Sequence, residues 1–159
     1  SPMKSRSLSL WLALALAPAL PAAANDARIE HIRPEALLAV PSFSQVTTAT
    51  GGKLVFVSGQ VAWDRAGKPQ FPGDLEAQTR VTYENVRIAL AAAGARFEDV
   101  LKFNVYVKNL DTEKWKVISR VRNEVLKAEP RPASTMVGVT SLVYDELLIE
   151  IEAYALVKD

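Results

Sequence analysis

Two carboxylates spaced two residues apart, Glu150 and Glu152, interrupt an otherwise apolar run, LLIEIEAYALV, at residues 147–157. In an extended strand, side chains at i and i+2 share a face, so both acids stand on one side of the chain with Tyr154. A carboxylate on a half-buried wall is desolvated, its proton affinity rises, and it can serve as a general base toward water. The same group can instead be a structural carboxylate hydrogen-bonded to backbone at a subunit boundary, and both readings of Glu150 stand at this point. Glu152 reads as a structural or rim acid with a lysine partner.

Other chemistries are poorly supplied. The chain has no cysteine, which removes thiol nucleophiles, disulfides and thiolate metal sites. It has one histidine, His31, which reads as a surface residue on an early strand; a zinc site or histidine relay would have to be built almost wholly from carboxylates. No thiolate or histidine-rich metal site is expected. The formal charge of +1 on 159 residues carries no phosphate-binding field, so nucleic acid is not an expected partner.

The first 24 residues stand apart. MKSRS is a basic start, LSLWLALALAPAL an apolar run, and AAAND a small-residue cleavage site, the pattern of a secretory signal peptide. A membrane anchor is the competing reading, but a span needs roughly 20 apolar residues, and this run is shorter and broken by Pro18 and Pro21. Ser1 and Pro2, ahead of Met3, read as a tag scar. Cleavage after Ala24 leaves 135 of the 159 residues, with 17 basic against 18 acidic side chains. The expected protein is periplasmic or secreted, free of the membrane once cleaved, and folded as one domain over residues 25–159. No repeat and no Gly/Ser linker divides it.

The elements that must position the acids follow from periodicity. Residues 27–33, 43–49 and 53–63 read as strands, with Thr50, Gly51 and Gly52 turning between the last two. Asp74 caps a helix over 75–94, with Val86, Leu90 and Ala93 inward and Gly94 at its end. A strand over 100–110 follows. Asp111 or Thr112 caps a second helix through Leu126, with Ile118, Val121 and Val125 inward, and the prolines of EPRPA stop it. The strands at 133–142 and 147–157 are expected to form a hairpin through VYDE. The order predicts an α+β fold in which two helices cover one face of a mixed sheet.

Odd positions of the strands are apolar: Val55, Val57 and Val61; Leu101, Phe103, Val105 and Val107; Val137 and Val139; Leu147, Ile149, Ile151, Ala153 and Ala155. These should lie under the helices. The even positions mix Leu54, Phe56 and Tyr154 with Ser58, Gln60, Asn104, Ser134, Met136, Glu150 and Glu152. Such a face is too apolar for open water and too polar for a second core. Packing against further copies of the chain resolves this and leaves clefts lined by Ser58, Gln60, Ser134 and Glu150, suited to a small ligand. Trp63 and Trp115 read as packing residues.

Three blocks, LVFVSGQVAWDRAGKP, QTRVTYENVRIALAAAGARFEDVLKFNVYVKNL and IEIEAYALV, resemble the RidA/YjgF (Rid) family over nearly all of residues 25–159. The resemblance implies a chorismate-mutase-like α+β fold and a homotrimer with three clefts between subunits. For the central branch of that family it implies cofactor-free hydrolysis of enamines and imines to the keto acid and ammonia. It assigns the water-activating acid to Glu150 and retains Ser58, Gly59 and Gln60 in the cleft. The family's carboxylate-gripping arginine is matched by Ser134, or by Thr135 if the alignment shifts by one. Phe43 replaces a cleft tyrosine, Ser119 a cleft asparagine, and Met136 stands where cysteine is common. In these respects the chain resembles branches that lack the arginine. Because guanidinium grips carboxylate bidentately, another cation would be needed, and Arg131 is the nearby candidate, against its reading as a solvated loop residue. Two functions therefore remain open: an imine or enamine hydrolase, or a non-catalytic trimer that binds a metabolite, such as an imine or keto acid, or a partner at the same clefts.

Overall fold

The computed structural model describes residues 26–38, 40–127 and 129–158. The signal-peptide reading of residues 1–24 lies outside them. Strands β1 (Arg28–Ile32) and β2 (Val46–Thr50) pair as an antiparallel ribbon. Strands β3 (Lys53–Val61), β4 (Val100–Lys108), β5 (Ala133–Val139) and β6 (Ile149–Val157) form a four-stranded sheet in the order β3-β6-β4-β5. Helices α1 (Leu75–Ala92) and α2 (Thr112–Val125) cover one face. Among the described residues no helix is long and apolar enough to cross a membrane.

Both helices begin where their caps dictate. The Asp74 carboxylate accepts from the Ala77 N–H at 3.0 Å and the Asp111 carboxylate from the Lys114 N–H at 2.8 Å, each satisfying a donor with no partner inside its helix. Gly94 follows α1 in the left-handed region at φ 79°, where a side chain would be strained. The inward stripes match their spacing: Val86 and Leu90 of α1 and Ile118 and Val121 of α2 are fully buried. They pack on Val105, Val107, Ile149 and Ile151 of the sheet, and each such side chain contributes about 1.5–3 kcal/mol of burial. Tyr83, Phe97 and Phe103 meet edge to face, with ring centroids 6.1–6.2 Å apart.

The expected β5–β6 hairpin does not form. β4 and β5 run parallel, which requires a crossover rather than a tight turn, and α2 supplies it. β6 pairs antiparallel with both β3 and β4, filling the slot between them and leaving β5 at the edge.

Three parity expectations are also corrected. In β5, Ser134 lies opposite Phe103, Met136 opposite Val105, and Val137 opposite Tyr106. Ser134 and Met136 therefore share the helix-side face, while Val137 is on the other side and 42% exposed. At an edge strand the helix layer runs out, so apolar alternation no longer decides which side faces inward. In β4 a bulge between Val100 and Lys102 gives the buried position to Val100 and leaves Leu101 half-buried. In β3 a register shift between Val57 and Gln60 sets Gln60 opposite Ile151 and turns it away from the acids.

Candidate functional site

β6 is a central strand whose odd residues, Ile149, Ile151, Ala153 and Ala155, are fully buried. Its even residues, Glu150, Glu152 and Tyr154, consequently project from the face without helices, and the two carboxylates meet different surroundings there. Oε1 of Glu152 accepts from Asn104 Nδ2 at 2.7 Å and from the hydroxyls of Tyr106 and Tyr154, each at 3.1 Å. These bonds, the Asn104 amide first, hold its carboxyl below the usual range. The expected lysine partner is thus replaced by an amide and two phenols. Both tyrosine hydroxyls are pushed up in turn by their bond to this charge.

Glu150 has no comparable set of donors among the described residues. It lies opposite Tyr106 and Val61 in the sheet and lines an open cavity of about 410 Å³ with Tyr106, Ser141, Val143 and Glu152. Burial first, and the negative charge of Glu152 second, push its carboxyl up. Opposed shifts in two neighbouring carboxyls are the arrangement that separates a proton-exchanging acid from a fixed charge.

Gly59 approaches this acid through its backbone. A Cβ on Gly59 would lie 1.9 Å from Glu150 Oε1, so only glycine lets the carboxylate lie across the β3 bulge. Ser58 is exposed, and its carbonyl accepts from Gln60 Nε2 at 3.1 Å. Gln60 itself lines a separate groove with Trp63, Asn85 and Ile88. Of the residues expected to share a cleft face with Glu150, Gln60 is turned away and Gly59 is placed against its carboxylate.

Ser134 stands on the other side of the sheet. It lines a cavity of about 340 Å³ with Phe43, Met136, Trp115 and Arg122, between α2, the edge of β5 and the segment before β2. Phe43 and Ser134 are thus brought together, and both are apart from Glu150. The Ser119 Oγ is buried without a hydrogen-bond partner one turn before Arg122. Arg131 bonds Glu129 at 2.9 Å and Asn123 at 3.2 Å through its guanidinium and lines a groove with Pro41, Ser42, Asn123 and Glu129 rather than the Ser134 cavity. Its carbonyl accepts from Ser44 Oγ at 2.7 Å and lies 3.0 Å from His31 Nδ1, which ties the only histidine to the loop before β5.

Two further wall residues were not read from sequence as part of a site, Trp115 having been read as packing and Arg122 not at all. Trp115 is half exposed on the cavity rather than buried packing. Arg122 sits four residues after Ile118 and so falls on the inward side of α2; a charge inside that stripe was the available signal.

Two helices on one face of this mixed sheet, with a paired-carboxylate wall opposite, define a chorismate-mutase-like α+β protein. A family profile described as Endoribonuclease L-PSP matches residues 34–157, and the chain belongs to this family, that of the Rid/YjgF proteins. It is 35% identical over 102 residues to the RutC family protein YjgH of Escherichia coli (strain K12), covering 64% of this chain and 76% of that one. A 2-iminobutanoate/2-iminopropanoate deaminase of Dermatophagoides farinae is 26% identical over 107 residues, covering 67% and 80%. Among solved structures, the conserved Rid family protein YyfB from Yersinia pestis superposes with a TM-score of 0.76 at 33% identity, covering 81% of this chain and 98% of that one.

Proposed function

We propose that the protein is a homotrimeric hydrolase that converts imines and enamines to the keto compound and ammonia, with Glu150 activating water in a cleft between subunits. The observation that carries this reading is the state of Glu150: half-buried, pushed up by burial and by Glu152, and held against Gly59 with no hydrogen-bond donor to its carboxylate among the described residues. In the proposed reaction water adds to the imine carbon while Glu150 takes its proton. The carboxyl passes that proton to nitrogen to give the carbinolamine, then takes the carbinolamine's hydroxyl proton and delivers it to the same nitrogen as the carbon–nitrogen bond breaks, so that the carbonyl forms, ammonia leaves and Glu150 returns to its carboxylate. An enamine enters after tautomerising to the imine. The deaminase relative supports the substrate class.

The trimer explains two features of the single chain. Leu54 is 57% and Phe56 72% exposed on the acid-bearing face, an apolar surface that further copies would cover. The Glu150 wall and the Phe43–Ser134 wall lie in separate cavities, and a neighbouring subunit can set one against the other. The near-neutral charge and the two acids on the open face disfavour a nucleic-acid backbone as ligand.

The test generates an imine with an amino-acid oxidase, traps it competitively with semicarbazide, and follows ammonia release. Acceleration by the protein that disappears in Glu150→Gln supports hydrolysis. A protein that binds keto acids but accelerates nothing is instead the non-catalytic metabolite-binding trimer. We also propose that residues 1–24 direct export to the periplasm or medium; full-length chain recovered from the cytoplasm of the source cell would contradict this.

A further inference from the structure

A further cavity, of about 180 Å³, lies at the C-terminal end of α2 and shares no lining residue with the Glu150 cavity or the Phe43–Ser134 cavity. Its apolar walls are Phe97 and Val100 at the start of β4, Val125 and Leu126 where α2 ends, and Pro130 and Pro132 of the loop into β5. These walls are held from behind. Val100 and Leu126 are buried, and Phe97 meets Tyr83 and Phe103 edge to face. A concavity of this size is too small for a nucleotide or a peptide, whereas one of about 150 Å³ holds a single benzene ring.

Three polar residues complete the lining: Glu98, Lys127 and His31. Glu98 and Lys127 are exposed, with their charges in water, whereas His31 is half-buried. Its ring is fixed by its surroundings. Nδ1 lies 3.0 Å from the Arg131 carbonyl, which can only accept, so Nδ1 carries the hydrogen and the neutral ring keeps Nε2 as an acceptor. Across the ribbon His31 pairs with Thr47, whose hydroxyl donates to the Leu101 carbonyl at 2.7 Å, one residue after Val100. The β1–β2 ribbon is thereby tied to the strand that supplies the Val100 wall. An apolar pocket with one fixed acceptor selects a small ligand with one donor.

We propose that this cavity binds a single-ring phenol, its ring between Phe97 and the two prolines and its hydroxyl donating to His31 Nε2. A carboxylate has no hydrogen to give that nitrogen, and a hydrocarbon leaves the acceptor unmet. Phe97 and the proline rings offer flat surfaces, which favour a planar ring over a branched chain. The proposal goes beyond the hydrolase reading and is independent of it: it holds or fails whatever Glu150 does.

The experiment measures binding by fluorine NMR and calorimetry at neutral pH, where a phenol keeps its proton. The probe is 4-fluorophenol. It is compared with 4-fluoroanisole, which retains the oxygen but has no donor, and with 4-fluorotoluene, which has neither. 4-Fluorophenol should bind saturably, raise Tm, and bind roughly 2- to 12-fold more tightly than 4-fluoroanisole, the difference that one hydrogen bond makes. Val125→Trp, which fills the cavity from the end of α2, should abolish binding of all three. His31→Phe should remove the advantage of the phenol over the anisole and leave 4-fluorotoluene unchanged.

Absence of saturable 4-fluorophenol binding overturns the proposal, as does binding that survives Val125→Trp, which would put the ligand elsewhere. Anisole or toluene bound as tightly as the phenol would remove His31 from the site and overturns it too. If either variant does not fold, the unaltered protein decides. Backbone amide shifts caused by 4-fluorophenol should then centre on Phe97, Val100 and Leu126, and shifts centred on Glu150 or Ser134 contradict the proposal.

Discussion

Gly59 and Glu150 approach so closely that the α-carbon of one leaves room for the carboxylate of the other only because it carries no side chain. A Cβ there would lie 1.9 Å from Oε1 and 2.8 Å from the carboxyl carbon. Gly59 is not among the residues with positive φ, so its role is proximity and not backbone freedom. Gly59→Ala should leave the sheet folded, because the far end of a glutamate can swing aside, yet misplace the base by about an ångström. Imine hydrolysis should fall on the order of 100-fold, with circular dichroism and Tm little changed. Activity within twofold of wild type would contradict the assigned role.

The two acids make opposite demands on pH. A base must be ionised to act, and Glu150 is pushed up, so the acidic limb of kcat/KM should lie above the ordinary glutamate range. Removing the Glu152 charge takes away one of the two causes, and Glu152→Gln should move that limb to lower pH. Stability runs the other way. A carboxyl raised in the folded state stabilises fully below its unfolded value, and that contribution is lost as pH rises through the folded one. Glu150→Gln should therefore lose less stability than wild type between acidic and neutral pH. Paired pH–rate and pH–denaturation profiles check both signs.

Gln78 fastens the approach to β6. Buried completely on α1, it donates from Nε2 to the carbonyls of Gln70, Phe71 and Glu146 and accepts from the Leu148 N–H at 2.8 Å. Gln78→Ala strips partners from several buried backbone groups, each costing about 1–3 kcal/mol. A loss of about 3 kcal/mol or more in urea unfolding is expected, with activity falling further than the remaining folded fraction explains, because Leu148 lies two residues before Glu150. Gln78→Glu should rescue part of the stability at low pH, where its carboxyl is protonated and can donate.

The legible parts of this molecule are those where one physical requirement dominates. β6 is central and covered by helices, so the alternation of Ile149, Ile151 and Ala153 with Glu150 and Glu152 could be read directly, and the Asp74 and Asp111 caps announced both helices. Position 134 was not legible from alternation, because β5 is an edge strand with apolar residues on both sides, and its parity comes from register against Phe103 and Val105. Gln60 was misplaced by a single inserted residue in β3, although a glycine inside a strand is itself a bulge signal. The hairpin expectation took sequence neighbours for spatial ones. Two successive strand–helix–strand units instead leave a gap between β3 and β4 for the last strand. Arg122 lay hidden in an apolar stripe that was read through Ile118, Val121 and Val125 alone.

The central claim is that one subunit's Glu150 works against another subunit's Ser134 wall. The direct measurement is the activity of mixed trimers made from two inactive proteins, Glu150→Gln and Ser134→Trp, the second filling the Phe43–Ser134 cavity. Under random assembly about a quarter of the clefts would combine an intact acid with an intact wall, and the account predicts imine hydrolysis returning to roughly that fraction of wild type. Mixed trimers of verified composition that remain as inactive as either parent would contradict it.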